Sequence, residues 1–565
     1  MRGTTGDGDR HDRGHDKGAT TGMGSAEMEF DYIVVGAGSA GAPLADRLSE
    51  DGTARVLVLE AGGHDLSPWI RMPIGYGKAF YDKRINWKFT TQPIEGLKGR
   101  QSYWPRGKVV GGSSAINAMV WARGHREDYD DWASQADAPE WRWDEVARVF
   151  RKIEDWQGEE SPVRGRGGKV SVERIEDRMH PICEQYLQGA QQAGIPFNSD
   201  YNGEDMEGVS IYQINTRKGF RASTNQCYLR GAAKRRNVAL EKHAHVLRVV
   251  IEEGRATGVV YRQKGVERVA RARREVILAA GAVMSPAILQ HSGIGDGGHL
   301  ASLGIELNHH APRVGRHLQD HLGADNLYRA TVPTLNQVLR PWLGRARVGL
   351  QYVMTRGGPL SLSVNQGGGF VRLREGTGRP DVQLYFSPVS YTRAPVGKRP
   401  LMAPDPFPGF LMGFNPCRPT SEGHLGITSP DPMAAPEIHP NYLSTDHDCA
   451  LMVAGLKLVR RIAASKAMRE VISAELFPGE ALADDDALLD YARSTGWTVF
   501  HPSGTCRMGR DPDQAVVDTR LRVHGVRGLR VADASIFPII PTANTNAPSI
   551  MVGERAAELI REDNR

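Results

Sequence analysis

Two features of this 565-residue sequence predict an α/β fold followed by a second, strand-rich region. The first is a strand–turn–helix–strand unit over residues 31–60, with glycines at Gly36, Gly38 and Gly41. The second is the stretch 326–499, where alternating runs such as Asp381-Val382-Gln383-Leu384-Tyr385-Phe386 stand among Pro/Gly-rich loops such as Ala403–Gly409. The length suits two large domains or a few small ones. Hydrophobic residues at 40% and charged residues at 24% exclude a disordered chain, a fibrous repeat and a small disulfide scaffold. The 64 glycines exceed the usual share of about 7% and imply many tight turns and close backbone approaches.

The opening unit carries its chemistry in order. Tyr32-Ile33-Val34-Val35 is too short for a helix and reads as a buried strand. Gly36-Ala37-Gly38-Ser39-Ala40-Gly41 follows, then a helix over Ala42–Leu48 with Pro43 in its first turn, where a missing N–H costs little. Gly36 permits the sharp turn, Gly38 lets the backbone reach a pyrophosphate, and Gly41 lets helix and strand pack closely. The loop residues Ser39 and Ala40 lead into a helix N-terminus that offers free N–H groups to phosphates. The second strand, Arg55–Leu59, ends in Glu60 and Ala61, and the Glu60 carboxylate can accept hydrogen bonds from ribose hydroxyls. The motif has its strand before, its helix after and its acid at the right distance, so it predicts a dinucleotide site. An acid at Glu60 disfavours a 2′-phosphate and hence NADP; FAD and NAD both remain open.

Other classes are disfavoured. The net charge is only +5, and the basic clusters Lys234-Arg235-Arg236 and Arg271–Arg274 lack interleaved aromatics, so no nucleic-acid partner is expected. The five cysteines are scattered and never spaced as CxxC, which argues against disulfides and a zinc cluster. His317 and His321 stand four apart, as metal ligands on one helix face do, but no third ligand accompanies them, and no metal is expected. No apolar run reaches about 18 residues, so no integral membrane span is expected. Residues 1–28 lack the apolar core of a secretory signal and are read as a disordered tail; a cytoplasmic location is expected.

A second glycine/serine loop, Arg106-Gly107-Lys108-Val109-Val110-Gly111-Gly112-Ser113-Ser114-Ala115-Ile116-Asn117, runs into an apolar stretch. A simple NAD domain does not need it, whereas an isoalloxazine ring, far from its adenine, needs a backbone cradle of its own. With Arg123-Gly124, this loop resembles the first signature of the glucose–methanol–choline (GMC) flavoprotein oxidoreductases. Gly281–Gly295 resembles the second, and Val314–His321 and His501-Pro502-Ser503-Gly504-Thr505 also match. The resemblance runs from about residue 29 to about 562 and is strongest to bacterial choline dehydrogenases and other FAD-dependent alcohol dehydrogenases. It implies FAD, with Val246 at the adenine and Trp87, Val110, Gly112, Asn117, Ala118 and Val120 lining the flavin. It also places Asp533 and Ala534, after the strand Gly528–Ala532, and Asn546 against the cofactor. Some members attach FAD through a histidine just before the position of Asn117; here that residue is Ile116, so non-covalent FAD is expected.

The resemblance further places His501 and Asn544 beside the reactive edge of the flavin. The residue types suit alcohol oxidation. A neutral imidazole, with an ordinary pKa near 6.5, can take the hydroxyl proton. A carboxamide N–H can donate to the developing alkoxide oxygen. Phe500, directly before the base, is expected on an apolar wall of the substrate pocket.

The expected architecture is a Rossmann-like FAD-binding domain built from 29–325 and 500–562, with an antiparallel-sheet substrate-binding domain over 326–499. A helix is expected over Asp446–Ser465, with Leu451, Leu456, Leu458, Val459 and Ile462 facing inward. The expected reaction is oxidation of a primary alcohol to an aldehyde by hydride transfer. The alternative is a flavoprotein of the same fold doing non-redox or light-driven chemistry, such as a lyase or fatty-acid photodecarboxylase. The sequence leaves open which alcohol is used and whether electrons leave to O₂ or to a quinone or dye.

Overall fold

The strand Met28–Val35 is buried from Phe30 onward, on both faces, as an interior strand of a parallel sheet is. The protein is described here by a computed structural model covering residues 28–374, 376–391 and 403–564. The expected tail, apart from Met28, lies outside these residues.

Met28–Val35 pairs in parallel with Val56–Glu60 on one side and with the long strand Val266–Leu278 on the other. Val238–Lys242 extends the sheet beyond Val56–Glu60, and Leu529–Val531 extends it beyond the end of Val266–Leu278. The first half of Val266–Leu278 instead pairs antiparallel with Arg255–Gln263, which pairs with Ala244–Glu252. The register sets Val35 opposite both Leu59 and Leu278, so three strands end together where the glycine loop begins.

At that end Gly36 has φ +104°, and a Cβ there would meet the Ala279 carbonyl oxygen at 2.4 Å. Only glycine fits both conditions. The helix Gly41–Ser49 starts immediately after and packs on the C-terminal helix Asn546–Asp563, where Arg47 bonds the fully buried Glu554 at 2.8 Å. The last helix of the chain thus lies against the first, and both N-termini open on the same side of the sheet as the glycine loop.

The second sheet is antiparallel throughout, in the order Ile472–Phe477, Leu322–Ala330, Gly409–Pro416, Val382–Ser387, Gly367–Val371, Gly208–Ile211, with Trp497–Thr498 beside the start of Leu322–Ala330. Two of its strands fall outside a simple 326–499 segment. Gly208–Ile211 comes from within 29–325, because its buried Val209 and Ile211 complete the edge beside Gly367–Val371. Leu322–Ala330 begins before residue 326. The helix Asp446–Ala463 covers this sheet with Leu451, Leu456, Leu458, Val459 and Ile462 buried, as the periodicity predicts.

Candidate active site

A single cleft runs between the two sheets. On the side of the parallel sheet its wall contains Gly36, Gly38, Ser39, Ala40, Glu60 and Ala61. Trp87, Gly112, Asn117, Ala118, Val120 and Val246 also line it. Asp533, Ala534 and Asn546 lie on its floor, and Phe500, His501 and Asn544 at the far end. Tyr385, Ser387, Leu411 and Gly413 of the antiparallel sheet form the roof over that end.

Two of the residues expected to line the cofactor do not line the cleft. Gly41 lies behind the loop, its α-carbon turned toward the Gly36 carbonyl oxygen, which a Cβ would meet at 2.0 Å. Val110 points into the core of the parallel sheet and is buried there. The two glycine loops instead touch through their neighbours: a Cβ on Gly112, whose φ is +54°, would come within 2.6 Å of the Gly38 α-carbon. The phosphate loop and the second glycine loop therefore form one continuous cradle.

Glu60 is fully buried and accepts from the Ala37 N–H (3.0 Å) and the Gly62 N–H (2.8 Å). Burial pushes its carboxyl up to about 7, against those bonds and nearby Lys108. The Asp533 carboxylate is occupied internally: Gly281 N–H and Ser285 Oγ donate to one oxygen, Ser535 N–H and Oγ to the other. Its part is to tie the floor of the cleft to the helix Gly281–His291. Ser39 Oγ donates to Asn546 Oδ1 at 2.9 Å and so joins the two helix N-termini.

At the far end, two hydrogen-bond relays converge. The first starts at the Leu384 carbonyl, which accepts a hydrogen bond from the Tyr212 hydroxyl. Tyr212 can then only accept from Gln383 Nε2 (3.1 Å), and Gln383 Nε2 also donates to Asn544 Oδ1 (2.9 Å). That fixes the carboxamide with Nδ2 toward His501 Nε2, at 3.2 Å. The second starts at the Cys417 carbonyl, which accepts from His321 Nε2 (2.8 Å). A neutral His321 then has a bare Nδ1, which must accept from His501 Nδ1 (2.9 Å). His501 therefore carries its proton on Nδ1 and presents the Nε2 lone pair to Asn544 and the cleft.

The protonation states agree with this chain. Burial holds His501 well below the ordinary imidazole range, helped by His321 and by Arg106. Burial likewise lowers His321 to about 4. Both rings are therefore neutral at pH 7.

The backbone of His501 is held just as firmly. Asp320 accepts from the His501 N–H (2.7 Å), from Thr498 Oγ1 (2.5 Å) and from the Tyr442 hydroxyl. Phe500 has φ +71°, an unfavourable value for an aromatic residue. It is held there from both sides: its N–H donates to Thr498 Oγ1 and its carbonyl accepts from Arg106 Nη2. Its ring lies edge-on to Phe80, and both line the cleft.

Sequence reasoning missed three contributors. His321 stands out only as a histidine four residues after His317; the segment is not helical, His317 instead contacts Glu422, and His321 turns inward to His501. Gln383 is one polar residue in an alternating strand, with no local signal. His245 lies on the cleft wall, its ring edge-on to Trp87.

The GMC oxidoreductase family profiles match residues 30–323 and 419–553 of this sequence. The chain belongs to the GMC oxidoreductase family. Among its relatives, an alcohol dehydrogenase [acceptor] of Pseudomonas putida is 40% identical, over 94% of this chain and 95% of that protein. An oxygen-dependent choline dehydrogenase of Vibrio vulnificus is 39% identical over 94% of each. Among solved structures, pyridoxine 4-oxidase from Mesorbium loti aligns with TM-score 0.85 at 29% identity, covering 95% of this chain and 99% of that one. Aspergillus oryzae formate oxidase aligns with TM-score 0.87 at 27% identity, with the same coverage.

GMC oxidoreductases and these structural neighbours bind FAD, and this GMC chain fits it. The Gly36 turn, the Gly38–Gly112 cradle, the joined helix N-termini and the buried Glu60 provide for a pyrophosphate and a ribose. Glu60→Gln is expected to weaken FAD binding about 10–100-fold, the loss of a hydrogen bond to a charged group, as measured by fluorescence titration of the apoprotein.

Proposed function

We propose that this GMC oxidoreductase oxidises a primary alcohol to an aldehyde, with FAD held non-covalently and His501 Nε2 as the general base. Support for non-covalent binding comes from Ile116, whose hydrocarbon side chain, in the position used for histidyl attachment in some relatives, offers no nucleophile. The reaction is carried by one observation: the bare Nε2 of His501 and the Nδ2–H of Asn544 meet at one point on the cleft wall. An alcohol oxygen placed there donates its proton to Nε2 and accepts from Nδ2. Bound FAD supplies the acceptor for the hydride that leaves the alcohol carbon. As the C–H and O–H bonds break, the C=O bond forms, and the proton rests on His501 as imidazolium. The His321 relay stabilises that cation by keeping an acceptor on Nδ1–H, and the Asn544 amide stabilises negative charge developing on oxygen before the proton has fully left.

The names of the relatives favour an alcohol donor of this kind, and their acceptors differ in name, one being oxygen-dependent. Anaerobic addition of a panel of aliphatic, aromatic and choline-like alcohols to the holoenzyme is expected to bleach the oxidised flavin with at least one of them. Readmission of air or a quinone then identifies the oxidant. Failure of every alcohol, with dithionite still bleaching the cofactor, would remove the reading.

His321→Phe is expected to slow flavin reduction about 10–100-fold, because His501 Nδ1–H loses its buried acceptor and the Nε2-protonated tautomer becomes competitive. His321→Asn, which keeps an acceptor oxygen, is expected to recover part of that loss. Equal rates in both variants would show that the ring acts only as packing.

A further inference from the structure

The helix Trp342–Thr355 presents to solvent the kind of side chain that the rest of the molecule buries. Among the described residues it holds five of the twelve exposed large hydrophobic side chains: Trp342 (69% exposed), Leu343 (63%), Leu350 (62%), Val353 (63%) and Met354 (76%). Scattered singly, such residues need no explanation; five on one helix form a patch. At 3.6 residues per turn, these five and Ala346 fall within one arc of about 120°. Val348 and Tyr352 lie opposite and are buried, and the Tyr352 hydroxyl anchors the helix through the Gly219 carbonyl at 2.9 Å.

The charges on the helix itself are of a single sign. Arg345 lies beyond one edge of it and Arg347 beyond the other, and both are exposed. From residue 326 to residue 374 the sequence contains seven arginines and no Asp or Glu. The chain then continues through the turn Pro359–Ser361 to Val364 and Asn365, which line the substrate end of the cleft. The helix is therefore joined by one short turn to the wall of that end.

We propose that this helix face docks the enzyme on the surface of an anionic phospholipid bilayer. A tryptophan, long aliphatic side chains and flanking arginines on one helix are the composition that lies in the plane of a membrane interface, with the apolar arc among the acyl chains and the guanidinium groups at the phosphates. No helix among the described residues is long and apolar enough to cross a membrane, so the contact is peripheral. A second copy of the chain fits less well, because a self-complementary contact would set Arg345 and Arg347 against one another with no acid between them. The docked helix would bring the adjoining cleft wall to a phase in which apolar alcohols and quinones dissolve. The proposal does not depend on the reaction assigned above, since vesicle binding requires no turnover.

The test is sedimentation of the holoenzyme with phosphatidylcholine vesicles, with and without an equal share of phosphatidylglycerol. The wild type is expected to pellet with the mixed vesicles at low salt, to remain in solution with phosphatidylcholine alone, and to be released as salt is raised. R345E/R347E is expected to lower the partition coefficient at least about tenfold. W342S/L350S/M354S is expected to abolish binding while leaving turnover with a water-soluble dye unchanged. The proposal is overturned if the wild type ignores both vesicles, if the variants bind as the wild type does, or if light scattering shows a dimer that W342S/L350S/M354S turns into a monomer.

Discussion

His501→Ala is expected to keep its yellow cofactor and to reduce it about 10²–10⁴-fold more slowly than the wild type when an alcohol is added without oxygen. The magnitude follows from what the side chain offers. Its Nε2 is the bare nitrogen, fixed as such by the relay through His321 to the Cys417 carbonyl. Its neutral form persists at pH 7 because burial, then His321, then Arg106 all disfavour the cation. With the pKa depressed, protonation can remove the base only on the acid side. Flavin reduction in the wild type should stay level from about pH 8 to the ordinary imidazole value near 6.5, and any loss of base should come at still lower pH. In His501→Ala that acid limb should be absent. The cofactor should remain, because the cradle at Gly36, Gly38 and Gly112 does not include the His501 side chain.

Asn544→Ala is expected to slow flavin reduction about 10²–10³-fold, the scale on which loss of one preorganised donor to a developing oxyanion acts. The carboxamide is preorganised because Gln383 holds Asn544 Oδ1 and is itself held by Tyr212. Nδ2 is then held on the cleft wall beside His501 Nε2, where the reacting oxygen is placed. Asn544→Asp should be at least as damaging. It replaces the donor by an acceptor and sets a negative charge where negative charge develops. Single-turnover stopped flow checks both, and the double variant with His501→Ala should lose much less than the product of the two single effects, since both groups act on one oxygen.

Much of this was legible in the sequence where the chemistry is local. Gly36 and Gly38 follow one strand and Glu60 ends the next, with a single helix between, so periodicity places them together. His501 and Asn544 were reached through their motifs, and the structure brings them to one point. The residues that orient them were not legible. Gln383 meets Asn544, and His321 meets His501, only because the antiparallel sheet folds over the parallel one. A side chain that acts through a contact 161 or 180 positions away leaves no local pattern. Val110, which the resemblance places at the flavin, has its side chain buried in the core of the parallel sheet; an apolar residue in a glycine loop can face either way, and the loop's own sequence does not decide between them. The edge strand Gly208–Ile211 was hidden because four residues carry too little periodicity to declare which sheet they join.

The most direct measurement compares a C1-dideuterated alcohol with its ordinary form in anaerobic stopped flow, in the wild type and in His501→Ala. The account predicts a normal primary isotope effect on flavin reduction in the wild type, and a much slower reaction in the variant that quickens with rising pH as hydroxide takes over the proton. Flavin reduction in His501→Ala at the wild-type rate and with the wild-type pH profile would contradict it.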